Sequence, residues 1–204
     1  DSSSPDGTAD LVLKLIKTHS KRVFLEQRAC KEGLGKAYIH GFRWALENNY
    51  DFIFEMDADL SHDPKELTPM LDYLKLDYDL VIGSRYVKGI NVVNWPLSRI
   101  LLSYLASIYV RLFTHMPIKD PTAGFVGYTR TVLERLDFNK IKFVGYAFQI
   151  EMKFKIWKKG FKYKEHPIIF TNRVFGVSKM NGKIIWEAMS SVLILRIKSI
   201  LNQI

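Results

Sequence analysis

The sequence predicts an α/β fold, a mostly parallel sheet flanked by helices and built as a single domain over residues 1–204. Three observations carry that prediction. Short continuous apolar runs, "DFIFEM" at 51–56 and "DLVIGSR" at 79–85, read as strands buried on both faces, the pattern of parallel sheets. Segments with apolar residues at helical spacing lie between such runs. A chain of 204 residues, 48% of them hydrophobic, is long enough to bury one sizeable core.

The elements follow in order along the chain. "SPDGT" supplies turn and cap residues, after which Leu11, Val12, Leu15 and Ile16 recur at helical spacing. "RVFLEQ", 22–27, reads as a short buried strand, and "GLGKAYIHGFRWALENN" as a glycine-rich turn opening into a helix that stops at an Asn pair. After the strand "DFIFEM", Asp63, Pro64 and Glu66 form the N-cap, first-turn proline and third-position glutamate of a reciprocally capped helix start. "DLVIGSR" is the next strand. An apolar helix near 94–116 and an amphipathic, basic helix near 183–203 complete the pattern, with no internal repeat.

Composition narrows the function classes. The lone Cys30 excludes an intramolecular disulfide framework and fits a reducing compartment. A net charge of +9 and a pI near 9.5 predict attraction to nucleic acid, an acidic membrane surface or a phosphorylated substrate. The start, "DSSSPDGTAD", has neither the basic segment nor the apolar core of a signal peptide. The longest uncharged apolar stretch, Ile100 to Val110 between Arg99 and Arg111, is too short to span a bilayer, which takes about 20 residues. With Trp95, Tyr104 and Tyr109 around it, this segment fits a helix lying in a membrane interface, and equally a buried helix.

The chemistry gathers at strand ends, where open α/β sheets bind ligands. In "FEMDADLSHDP", Asp57 and Asp59 are two residues apart, a spacing that aims both carboxylates to one side. Converging carboxylates call for a cation, and Mg²⁺ or Mn²⁺ suits oxygen ligands shared with substrate phosphates. The same pattern also fits a solvated loop capping the next helix, and spacing alone does not choose. Arg85 directly follows a strand, Arg99 opens the apolar helix, and "TNRVFGVSKM" places Arg173 and Lys179 around a glycine. Arginine forks suit phosphate oxygens, and a lysine can close over a phosphate as a point charge. His62 stands beside the acidic motif, either near a cation or at a surface helix start; the five histidines show no zinc spacing.

The stretches "SPDGT", "GLGKAYIHGFRWAL", "FEMDADLSHDPKEL", "DLVIGSRY", "NWPLSR", "DPTAGFVGY", "GYAFQIEM" and "NRVFGVSKM" run in one order over almost the whole chain. In these the chain resembles the family-2 inverting glycosyltransferases of GT-A fold, and within them the polyprenyl-phosphate (dolichyl-phosphate) mannose synthases. The resemblance implies mannose transfer from GDP-mannose to a polyprenyl monophosphate, with inversion, by an enzyme peripheral at the cytoplasmic face of the membrane. It implies Mg²⁺ or Mn²⁺ on the nucleotide diphosphate at Asp57 and Asp59, with Ser61 standing where some members place a glutamine. Arg85 and Arg99 would grip the lipid phosphate, and Asp120 would belong to the acceptor-side motif. Gln149 and Glu151 would face the sugar, Arg173 and Lys179 would close over the donor phosphates, and Asp1 and Asp6 would lie in the donor-side turn. A first strand that in the family holds the nucleotide base is not in this sequence, so a chain truncated from a longer one is expected.

A phosphate acceptor is already anionic near neutral pH and needs no general base. A hydroxyl acceptor needs one, for which Asp120 or Glu151 would be candidates. Two further alternatives remain: a related transferase using another nucleotide sugar, and a basic nucleic-acid-binding or non-catalytic scaffold fragment. Nucleic acid is the less expected partner, because it leaves "MDADLSH" without a role.

Overall fold

The structure is a computed structural model that describes residues 1–172 and 182–201. Helix α1 (Thr8–Thr18) begins where the Asp6 carboxylate accepts the Thr8 amide at 3.1 Å and the Thr8 hydroxyl at 2.6 Å. It buries none of its residues, and Leu11 and Leu15 stay exposed. The strand expected over 22–27 is not formed. Val23 and Leu25 are half-buried and Phe24 and Glu26 exposed, the alternation of a strand. Among the described residues no ladder accompanies it: the backbone of this stretch and its flank bonds to His19, Asp1 and Ser3, none of them in a strand. Period-two burial is a side-chain property; a strand needs a neighbour.

Helix α2 (Leu34–Glu47) follows, ending at Asn48 with Asn49 at a φ of 60°. Its first turn lies so near the 143–148 segment that a Cβ on Gly35 would stand 2.8 Å from the Phe143 carbonyl oxygen. Strand β1 (Phe52–Glu55) leads into a single 3-10 turn at Pro64–Glu66 and then α3 (Leu67–Lys75). Asp63 caps this start by accepting the Lys65 amide, but the expected reciprocal bond is absent. The Glu66 carboxylate instead meets His166 Nε2 at 2.7 Å, a tertiary partner that outcompetes the local one.

Strand β2 (Leu80–Ser84) buries all five residues, as its apolar run predicts. Then come the short strand β3 (Val92–Val93), α4 (Leu97–Thr114), β4 (Val126–Thr129), α5 (Arg130–Glu134), α6 (Ala147–Lys158), β5 (Tyr163–Pro167), β6 (Phe170–Thr171) and α7 (Gly182–Ile200). The main sheet has the order β1-β4-β2-β5. Strands β1, β2 and β5 share one direction and β4 runs against both its neighbours, so the sheet is mixed rather than mostly parallel in its pairing, with two of these three ladders antiparallel. Gly127 of β4, opposite Phe54, leaves the space that the Phe54 ring fills.

Helices cover both faces. On one side α3 sends Met70 and Leu74 onto Val81 and Phe125; on the other, Phe42, Phe148 and Phe154 pack on Leu80, Ile82, Val126 and Tyr128. Because β1 and β2 are parallel with β4 reversed between them, the ends of β1 and β2 and the approach to β4 meet at one edge. A second small sheet, β3 paired in parallel with β6, sits over that edge.

Helix α4 is longer than the uncharged stretch inside it. At 18 residues it is long and apolar enough to cross a membrane by length and composition, which corrects the expectation of a segment too short to do so. It buries only Ser107, Val110 and Thr114, and it packs along α7, where the Tyr109 hydroxyl donates to the Met189 carbonyl at 3.1 Å. Leu97, Leu101, Leu105 and Leu112 of α4, with Trp186 and Ile197 of α7, remain exposed.

Candidate active site

The loop after β1 folds back on itself. Leu60 takes a φ of 64°, and Asp59 Oδ1 accepts both the amide (3.1 Å) and the hydroxyl (2.5 Å) of Ser61. Asp57 and Asp59 are exposed at the strand end, whereas Ser61 and His62 are buried. The Ser61 carbonyl accepts the Thr171 amide, which staples this loop to β6. His62 is buried rather than a surface cap. Its Nδ1 accepts the Asp57 amide at 3.3 Å and its ring packs on Phe125 and Phe170. Burial, helped by Arg85 and opposed by Asp59 and Asp120, drives its pKa down to about 4, so it is neutral.

At the end of β2, Arg85 turns inward to Asp120. Arg85 Nε reaches Oδ2 at 2.7 Å, Nη2 reaches Oδ1 at 2.6 Å, and the Arg85 amide adds a third bond at 3.0 Å. Nη2 also donates to Thr122 Oγ1, and Glu165 on β5 accepts the Lys119 and Asp120 amides. Burial disfavours both charges. The pairing more than reverses this, holding the Asp120 carboxyl below its ordinary range and the Arg85 guanidinium above its own.

Beside this pair stands Trp95, set by the β3–β6 pairing on one side and the α4 start on the other. Arg99 Cζ lies 4.0 Å from the centre of the Trp95 ring and Arg85 Cζ lies 5.6 Å from it. Arg99 Nη1 also donates to Asn172 Oδ1 at 3.0 Å. Both cations therefore share one indole, and Phe170, which touches His62, packs on the same ring. The carboxylate loop and the arginine pair are thus joined through β6.

Beneath them lies a buried polar floor that sequence reasoning missed. Glu55 Oε1 accepts the Tyr128 hydroxyl at 2.9 Å. Lys153 Nζ donates to the Ala123 carbonyl at 2.7 Å and to Gln149 Oε1 at 2.9 Å. Burial pushes Glu55 up to about 7 against the pull of Lys153, and pushes Lys153 down to about 8 against Glu55 and Asp120. The available signal was a charge set inside an apolar run, Glu55 in "FIFEM" and Lys153 in "EMKFKIW".

The other expected residues divide. Gln149 is buried at this floor. Glu151, two residues on, is turned to the 142–143 loop, whose two amides it accepts, and pairs with Lys155 at 2.9 Å. Asp1 organises its own turn by accepting the Ser4 amide, and Asp6 accepts the Thr8 amide at the start of α1, where Gly7 is the N-cap. Arg173 and Lys179 lie outside the described residues. No group of three or more His, Cys, Asp or Glu side chains among the described residues is arranged to hold a metal, so a cation here would rest on the Asp57 and Asp59 pair and on substrate oxygens.

Comparison with known proteins agrees with this architecture. A profile described as glycosyl transferase family 2 matches residues 1–137. A polyprenol monophosphomannose synthase of Mycolicibacterium smegmatis is 46% identical over 192 residues, which cover 94% of this chain and 72% of that protein. An undecaprenyl-phosphate mannosyltransferase of Micrococcus luteus is 43% identical over 192 residues, 94% of this chain and 78% of the relative. Among solved structures, glucosyl-3-phosphoglycerate synthase from Mycobacterium tuberculosis bound to uridine diphosphate superposes with a TM-score of 0.61 at 15% identity, covering 96% of this chain and 67% of that one. The same enzyme with Mn²⁺, uridine diphosphate and phosphoglyceric acid gives 0.62 at 15% identity, over 98% of this chain and 65% of that one. At that identity the likeness is one of fold.

Proposed function

We propose a substrate pair for this chain, which belongs to glycosyl transferase family 2 and is a glycosyltransferase: mannose passes from GDP-mannose to a polyprenyl monophosphate, with inversion. The names of the two relatives support mannose and the polyprenyl phosphate. The observation that carries the reading is the meeting, at one edge of the sheet, of a carboxylate pair with an arginine pair.

Asp57 and Asp59 fit Mg²⁺ or Mn²⁺. They are hard oxygen donors, exposed, and the nearby imidazole nitrogen is already engaged. The solved Mycobacterium tuberculosis complex with Mn²⁺ supports a divalent ion for this fold. When bound, the ion neutralises charge on the leaving diphosphate. Ser61 serves from behind Asp59, orienting its carboxylate through two hydrogen bonds.

Arg85 and Arg99 hold the acceptor phosphate, which at pH 7 is mostly a dianion. One of its oxygens attacks the anomeric carbon as the bond to the GDP oxygen breaks, and GDP leaves with the electron pair. No proton need be removed. A hydroxyl acceptor would require a carboxylate base, and the two candidates are committed elsewhere: Asp120 is buried in three bonds from Arg85, and Glu151 is buried against Lys155 and two amides. The geometry thus favours phosphate over hydroxyl.

Helix α4 starts beside Arg99 and carries its exposed leucines away from the site, so we place the α4–α7 face on the cytoplasmic membrane surface, with the isoprenoid tail along it. Flotation with phospholipid vesicles tests this placement: the chain floats, and Leu101→Ser with Leu105→Ser leaves it in the dense fraction. Equal flotation of both would remove α4 from the membrane contact. The reaction is tested with labelled GDP-mannose, Mn²⁺ and undecaprenyl phosphate. Label is expected in the organic phase; transfer from UDP-glucose in its place, or to a free polyprenol, would overturn the assignment.

A further inference from the structure

We infer that Trp95 is the residue that preorganises the acceptor-phosphate site, by holding the Arg85 and Arg99 guanidinium groups on one indole ring before substrate arrives. The inference rests on the reading of those arginines as the acceptor grip. Two like charges within 6 Å of the same ring centre repel one another, and neither geometry explains itself without an attractive partner. For Arg85 that partner is mainly Asp120. Arg99 has the Trp95 face, at 4.0 Å, and the Asn172 amide oxygen among its partners. Indole has the most negative face of the aromatic side chains and so is the best cation platform.

The ring carries a cost that packing alone would remove. Trp95 Nε1 is buried and, among the described residues, has no hydrogen-bond partner. A buried unpaired donor is destabilising, and phenylalanine would fill much of the same space without it. The site nevertheless has the indole, at a position that both arginines reach, with the Arg85 guanidinium also 5.2 Å from the Tyr86 ring. Phe170, packed at 5.3 Å from the same ring, passes the restraint on to the His62 side of the site.

Stability and acceptor affinity therefore respond in opposite senses. Trp95→Phe is expected to melt at the same temperature as the parent or higher, yet to raise KM for acceptor a few-fold. Trp95→Leu, without a ring, raises it about tenfold or more. In both variants KM for GDP-mannose is unchanged and kcat stays within about twofold. The acceptor is a short, water-soluble isoprenyl phosphate, so that a tryptophan acting as a membrane anchor would not register, and its Kd is measured by calorimetry alongside turnover. Equal acceptor Kd in parent and Trp95→Leu, or an effect seen only with the long-chain lipid in vesicles, overturns the inference. If the parent itself neither binds nor mannosylates the isoprenyl phosphate, it is the acceptor reading that falls, and this inference with it.

Discussion

Asp59→Asn is expected to lower mannosyl transfer by roughly three orders of magnitude while leaving the fold intact, since one metal-supported charge contact is worth several kcal/mol in a transition state. Asp59 is exposed, and among its bonds are two that it accepts from Ser61, which an asparagine oxygen also accepts. What the substitution removes is the negative charge. Ser61→Ala separates the two possible roles of its hydroxyl. A hydroxyl that orients Asp59 from behind should cost about tenfold and shift the Mn²⁺ titration modestly; one that ligates the ion should cost as much as losing the carboxylate. Melting curves control for folding, and turnover against Mn²⁺ concentration gives the decision. Transfer by Asp59→Asn within tenfold of the parent would remove the metal role altogether.

The contrast between these residues and the buried floor explains how much was legible in the sequence. Asp57, Asp59 and Arg85 stand out because local pattern exposes them: an apolar run of fixed length ends, and charges follow at once. The continuous apolar runs that located β1 and β2 placed their ends to within a residue, and the resemblance to family 2 supplied the order of the motifs. Pairing across the fold left no such mark. Arg85 and Asp120 are 35 positions apart, and only the reversal of β4 between β1 and β2 brings them together. The same reversal explains why Arg85, expected to grip the lipid phosphate, commits Nε and Nη2 to Asp120 and Thr122. Glu55 and Lys153 were hidden for a related reason. Inside apolar runs their charges read as interruptions, and only burial on facing elements, β1 and α6, turns them into one network. Residues 22–27 show the opposite error, since "RVFLEQ" reads as a short buried strand and, among the described residues, no neighbouring strand pairs with it.

Asp120→Asn is the second large expected effect, and it falls on stability. The side chain is completely buried, so the substitution leaves the Arg85 guanidinium charged in a low-dielectric site, with its closest counter-charge gone. Breaking a buried pair in this way costs about 3–5 kcal/mol. For a domain of this size that lowers the melting temperature by roughly 6–20 °C. The pH dependence has a definite sign. Burial alone would raise the Asp120 carboxyl, but Arg85 holds it below its ordinary value of 3.8. A carboxyl depressed on folding contributes its full stabilisation above its unfolded pKa and loses it as pH falls through the folded one. The parent's advantage over Asp120→Asn should therefore be constant near neutrality and shrink only below pH 3.8. Urea unfolding of both proteins at pH 7 and at acid pH measures it. Arg85→Met combined with Asp120→Leu separates fold from function, because replacing both partners by apolar groups leaves neither of the two charges buried without the other. That double variant should regain most of the lost stability and still fail to bind an isoprenyl phosphate. Recovery of binding along with stability would mean that Arg85 is there to hold Asp120, and that Arg99 alone meets the acceptor.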